Sequence, residues 1–131
     1  MSFGKREYDR TKPEVDFPTE GAPTELRSED LIVGDGTEAS PGATVSAHYV
    51  GVAWSTGEEF DASWNRGEPL QFRAGTGQVI QGWDEGILGM KVGGRRRLEI
   101  PPHLAYGDRG AGAAIAGGES LIFVVDLVDV R

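Results

Sequence analysis

Between Ala43 and Trp54 the chain alternates. Val45, Ala47, Tyr49 and Gly51 fall on one side, and Ser46, His48 and Val50 fall on the other. A period of two over this length predicts an antiparallel strand buried on one face. The stretch LIFVVDLVDV puts Leu121, Phe123, Val125 and Leu127 on one side of a second strand. ELRSEDLIVGDG reads as a further strand ending in a turn at Asp35-Gly36, and GGRRRLEIPP as another, closed by Pro101 and Pro102. STGEEFDASWNRGEPLQF opens on a turn at Thr56-Gly57 and continues as short strand, loop and short strand. The period changes in VIQGWDEGILGM, Val79 to Met90. Ile80, Trp83, Ile87 and Met90 fall at helical spacing and predict a helix with one apolar face. Its glycines, Gly82, Gly86 and Gly89, each cost about 1 kcal/mol against alanine inside a helix. Gly82 and Gly86 stand four apart on one ridge, which predicts that this side presses against a neighbour.

Strands, one short helix, then strands again describe an α+β fold, a twisted antiparallel sheet of about five strands wrapped over one short amphipathic helix. HLAYGDRGAGAAIAGGES, before the last strand, reads as a long loop of small residues. The domain is expected over residues 25–131. Residues 1–24 are polar, carry Pro13, Pro18 and Pro23, and read as an extended tail, flexible at its start, with Val15 and Phe17 docking on the body.

Charge narrows the chemistry. A net charge of −8 opposes binding to nucleic acid or to an anionic membrane surface. The absence of cysteine excludes disulfides and thiolate metal sites. His48 and His103 lack ligand spacing and are expected at the surface, so neither a metal nor a cofactor is expected. RAGTGQVIQGW is glycine-rich but lacks the lysine of a phosphate-binding loop. Arg95–Arg97 reads as a solvated strand start. No apolar run approaches the roughly 20 residues of a membrane span, and the N-terminal stretch has no apolar centre, so a cytoplasmic protein is expected.

Aromatic side chains remain: Tyr49, Trp54, Phe60, Trp64, Phe72, Trp83, Tyr106 and Phe123. FDASWNR, QVIQGWDEGILGM, HLAYGDRGAG and LIFVVDLVDV, in this order and spacing, resemble the FKBP-type peptidyl-prolyl cis-trans isomerases. The resemblance covers about residues 25–131. Its most specific pieces are Phe60-Asp61 with Arg66 five residues beyond the aspartate, the run from Val79 to Trp83, and Ala105-Tyr106-Gly107 before the glycine-rich loop.

That resemblance implies a site. Phe60, Asp61, Trp83, Tyr106 and Phe123 would carry catalysis, with the Trp83 indole under the proline ring and the Tyr106 hydroxyl on a carbonyl of the substrate. Tyr49, Arg66, Leu70, Val79, Ile80 and Ile115 would bind substrate. Arg66 would hold Asp61, and the Ile80 N–H would meet a carbonyl. The implied activity is rotation about X-Pro bonds in proline-containing polypeptides, by a monomer that needs no cofactor. Tacrolimus and rapamycin would compete for the same pocket. The pattern departs at Leu70, where many members carry phenylalanine, at Ala111, and at Ala116-Gly117, where many have two prolines. A binding module that holds proline-bearing partners with little turnover is the alternative. Intact Phe60, Asp61, Trp83 and Tyr106 favour the enzyme.

Overall fold

In the computed structural model, which describes residues 10–17 and 21–131, the two long strands lie side by side at the centre of one antiparallel sheet. These are β2 (Thr44–Ala53) and β6 (Leu121–Val130), registered from Val45↔Val130 to Ala53↔Leu121. Beyond β6 come β5 (Arg95–Ile100) and then β1 (Arg27–Ile32). Two short strands share the other edge of β2. β3 (Glu59–Ala62) pairs with Val50–Val52, and β4 (Leu70–Arg73) pairs with Thr44–Ala47. Between them the chain leaves the edge in a 3-10 turn, Ser63–Arg66, so the Tyr49 N–H has no strand partner there. It donates to Ser63 Oγ instead, at 2.7 Å. The sheet therefore has six strands, one more than the pattern suggested, because one edge is built from two pieces.

The helix is shorter than its periodicity indicated. α1 spans Gln81–Gly86, with Ile80 at its N-cap and Ile87 at its C-cap. Gly89, at φ +86°, turns the chain away, so Met90 reaches the core from the following loop. The apolar side chains land as expected. Trp83, Ile87 and Met90 pack with Val45, Ala47, Leu98, Ile100, Leu121, Val125 and Leu127 on the concave face of the sheet. Arg96 donates to the carbonyls of Gly86 (2.8 Å) and Leu88 (3.0 Å), closing the helix C-terminus with a cation where the dipole favours one.

The convex face departs from the sequence reading. β2 was expected to be half buried, yet Ser46, His48 and Val50 are buried as well. The cover comes from elements that strand periodicity does not reveal. The Trp64 ring stacks on His48, with centroids 4.1 Å apart and planes 15° from parallel. Residues 10–17 also make contacts here. Arg10 pairs with the fully buried Asp126 at 3.6 Å, Arg95 donates to the Thr11 carbonyl, and the Phe17 and Trp54 rings are 5.4 Å apart. His48 is thus not a surface histidine. Its Nδ1 lies 2.8 Å from Ser63 Oγ, and burial pulls its pKa below the ordinary value, against the opposing field of Asp126.

The arginine run is not a solvated strand start either. Arg95 grips Asp126 with two bonds of 2.7 and 2.8 Å. Arg96 pairs with Asp30 at 2.7 Å and Arg97 with Glu99 at 3.0 Å. Each arginine answers a carboxylate on its own or an adjacent strand, an arrangement that a linear pattern does not display.

Candidate active site

α1 enters the concave face with no side chain between its Gly82–Gly86 ridge and β5. A Cβ on Gly82 would stand 2.5 Å from Ile100 Cγ2, and one on Gly86 would stand 2.7 Å from Leu98 Cδ2. Both are closer than van der Waals contact allows. The glycines thus set the depth of the helix, and that depth sets Trp83.

The Trp83 indole, 3% exposed, lies at the base of a cavity of about 410 Å³. Tyr49 and Phe123 meet it edge-on, with centroids at 5.0 and 5.3 Å and planes at 88° and 87°. Phe72 supports it from outside the lining at 5.6 Å. Phe60 stands edge-on to Phe123 at 5.5 Å. Edge-to-face packing of this kind fixes ring orientation as well as burying area. Gly51 leaves the room for that corner, since a Cβ there would stand 2.6 Å from Phe123 and 2.7 Å from Phe60.

One polar group enters this aromatic wall. Arg66 Nη1 donates to Asp61 Oδ1 at 2.7 Å, and Arg66 Nη2 donates to the Tyr49 hydroxyl at 2.8 Å. That hydroxyl donates in turn to Asp61 Oδ2, closing a triangle. Burial alone would raise the Asp61 pKa. The hydrogen bonds from Tyr49 and Arg66 outweigh it and hold the carboxyl below its ordinary value. Burial and the neighbouring carboxylate push the Tyr49 hydroxyl up, and bonds to Tyr49 and Asp61 push Arg66 up. At neutral pH the set is therefore a carboxylate, a neutral phenol and a guanidinium, with no group poised to exchange a proton.

The cavity brings together Tyr49, Phe60, Asp61, Leu70, Val79, Ile80, Trp83, Tyr106 and Phe123 from distant parts of the chain. Two of the residues expected to bind substrate, Arg66 and Ile115, are not among those lining the cavity. Arg66 holds Asp61, the contact the resemblance implies for it, and also the Tyr49 hydroxyl. Ile115, 4% exposed, belongs to the core cluster and is not among the lining residues. Gly77 and Gln78 line the cavity and are not singled out in the sequence reading. Their loop is tied to α1 by Asp84, whose carboxylate accepts from the N–H groups of Gly75 (2.9 Å) and Gly77 (2.7 Å). The glycine-rich RAGTGQ beside the predicted helix, with Asp84 inside that helix, was the available clue.

The rim carries the remaining polar groups. Tyr106, 40% exposed, follows the 3-10 turn Pro102–Leu104, and its hydroxyl has no protein partner among the described residues. The Ile80 N–H likewise meets no protein acceptor among them, while its carbonyl receives Trp83 N–H and Asp84 N–H. The small-residue loop is closed without the prolines. Ala111 and Ile115 exchange backbone bonds of 2.8 and 3.2 Å, and the Gly118 N–H meets the Gly107 carbonyl at 2.9 Å. Among the described residues no cluster of three or more histidine or acidic side chains could hold a metal ion.

Comparison with known proteins agrees with this geometry. Residues 36–128 match the family model for FKBP-type peptidyl-prolyl cis-trans isomerase. The chain is 69% identical over 120 residues to an FK506-binding protein of Streptomyces anulatus, covering 91% of this chain and 97% of that one. It is 52% identical over 117 residues to a probable FK506-binding protein of Corynebacterium glutamicum, covering 89% and 97%. Among solved structures, that of AtFKBP13 superposes with a TM-score of 0.76 at 45% identity, covering 84% of this chain and 96% of that one.

Proposed function

Since this chain belongs to the FKBP-type peptidyl-prolyl cis-trans isomerase family, and so accelerates rotation about X-Pro bonds, we propose that rotation takes place in the cavity above Trp83. The observation that carries the reading is the enclosure of an apolar, ring-walled cavity around one pre-paired carboxylate. The barrier to rotation is about 20 kcal/mol because resonance stiffens the amide C–N bond. No covalent bond need break. The planar amide is polar, and the twisted amide is less so. A cavity that withholds water therefore penalises the planar form more than the twisted one. Binding the twisted geometry better than either planar isomer lowers the barrier further, at tenfold in rate for each 1.36 kcal/mol.

In this reading the proline ring lies on Trp83, with Tyr49, Phe60 and Phe123 as walls and Leu70 and Val79 at the margin. The Ile80 N–H and the Tyr106 hydroxyl are free to orient flanking carbonyls. Asp61, kept ionised by Arg66 and Tyr49, acts through its field and donates no proton. Ile115 supports the wall from the core behind it.

The same reading takes proline-bearing polypeptides as substrates and tacrolimus or rapamycin as competitors. It takes the protein as a monomer, supported by the mutual repulsion of chains at net charge −8, and places it in the cytoplasm, where fractionation tests it. Residues 25–131 act as the catalytic domain and residues 1–24 as an extension outside the site. The test of function is exchange of a prolyl peptide measured by NMR at known protein concentration. Acceleration abolished by stoichiometric tacrolimus supports the reading, and acceleration indifferent to tacrolimus contradicts it.

A further inference from the structure

We propose that a second groove beside the cavity, lined by Glu58 and Glu119, selects substrates that carry a lysine or arginine close to the proline. The proposal rests on the isomerase reading and assigns a preference to it. Phe60 stands between the two spaces: one side of it lines the cavity above Trp83, and the other lines a groove of about 420 Å³. A polypeptide whose proline occupies the first space must continue out over its rim. Because Phe60 is common to both linings, positions flanking the proline pass beside the groove, each extended residue adding about 3.3–3.6 Å.

The groove is built and open. Its far wall is the small-residue loop, contributing Ala113, Ala114 and Ala116, which fill little of it. Its near wall is the β2–β3 hairpin. Glu119 joins the two walls, accepting from the Ser55 N–H at 2.9 Å and the Ser55 hydroxyl at 2.6 Å. Glu119 is 8% exposed and forms no ion pair among the described residues. Its donors are neutral, so its negative charge stays available to a cation entering the groove. Glu58 lies on the same lining, exposed, and also without an ion pair among those residues. Glu59 is already answered by Lys12 at 2.8 Å. The negative field in the groove therefore comes from Glu58 and Glu119, and a cationic side chain on the substrate complements it.

The test uses a neutral alanine-based peptide with one proline, and variants with lysine, norleucine or glutamate at each of the three positions on either side. Exchange is followed by NMR at low and at high salt. At one position or more the lysine peptide should exceed the glutamate peptide in kcat/KM by about two- to fivefold, the range expected of a solvent-accessible ion pair. The advantage should shrink with salt. In Glu58→Gln the lysine-to-glutamate ratio should fall, and in Glu58→Lys it should invert. Each ratio is read within one protein, so a general loss of activity cancels. Equal rates for lysine, norleucine and glutamate at all six positions overturn the proposal, as does a ratio unchanged in Glu58→Lys. Turnover of the neutral peptide by the parent protein is the separate check on the isomerase reading: its absence sinks that reading, while its presence without a lysine preference sinks only this one.

Discussion

Gly82 of α1 lies hard against Ile100 of β5, where an added Cβ would stand 2.5 Å from a side-chain methyl. Gly82→Ala gains about 1 kcal/mol of helix propensity, but overpacking of a filled core costs about 1–3 kcal/mol. Net destabilisation and an outward shift of α1 are expected. Chemical denaturation should show a lower midpoint, with prolyl exchange reduced because Trp83 moves with the helix. A midpoint at or above that of the parent would mean that the contact is slack.

The Tyr49–Asp61–Arg66 triangle predicts the pH profile. The Asp61 pKa lies below its ordinary value, so the ionised, bonded form persists through the neutral range. Its contribution to stability is complete above the unfolded-state pKa and is lost as pH falls through the lower folded-state value. Exchange activity should be flat from about pH 6 to 9, without the bell shape of acid–base catalysis, and indifferent to chelators. Asp61→Asn should lower activity several-fold without introducing a new inflection. An inflection near neutral pH in a folded protein would reveal a proton transfer that this account excludes.

His48 predicts a pH effect on stability rather than on turnover. Its folded-state pKa is lowered, chiefly by burial, so the unfolded chain binds the proton more readily. Stability should be constant above the unfolded-state value, about 6.5, and decline as pH falls from there toward the folded-state value. His48→Gln should flatten that part of the profile of denaturation free energy against pH. An unchanged slope would place the titration elsewhere.

Residues 10–17 contribute stability in the same way, from outside the cavity. Removing residues 1–17 takes away the Arg10–Asp126 pair and the Phe17–Trp54 contact. A loss of about 1–3 kcal/mol is expected from the apolar area re-exposed, with exchange of a neutral prolyl peptide retained. Loss of turnover at an unchanged denaturation midpoint would make the segment part of the site.

The concave side of this protein was legible in the sequence. Alternation in β2 and β6 located the core face, and two glycines four apart announced the close approach that β5 makes to α1. The cavity lining was legible only through the resemblance, because Tyr49, Phe60, Trp83 and Tyr106 are far apart in the chain. The convex side was not legible. Trp64 sits in a 3-10 turn with no period of its own, and His48 looked polar until that ring covered it. Ile115 packs in the same core cluster as Tyr49, Trp83 and Phe123, while its neighbours Ala114 and Ala116 line the groove beside Phe60. The extent of α1 was overread because Met90 falls on the helical period although Gly89 ends the turn.

The central claim is that turnover rests on the ring at the base of the cavity, and Trp83→Leu tests it most directly. Leucine keeps the site apolar and limits the cavity left behind, where alanine would cost about 3–5 kcal/mol of stability. The measurement is prolyl-peptide exchange by NMR, alongside a denaturation curve that verifies folding. The account predicts a folded protein whose kcat/KM falls at least about tenfold, equivalent to about 1.4 kcal/mol of transition-state stabilisation. A folded Trp83→Leu protein that exchanges the peptide at the parent rate would contradict it.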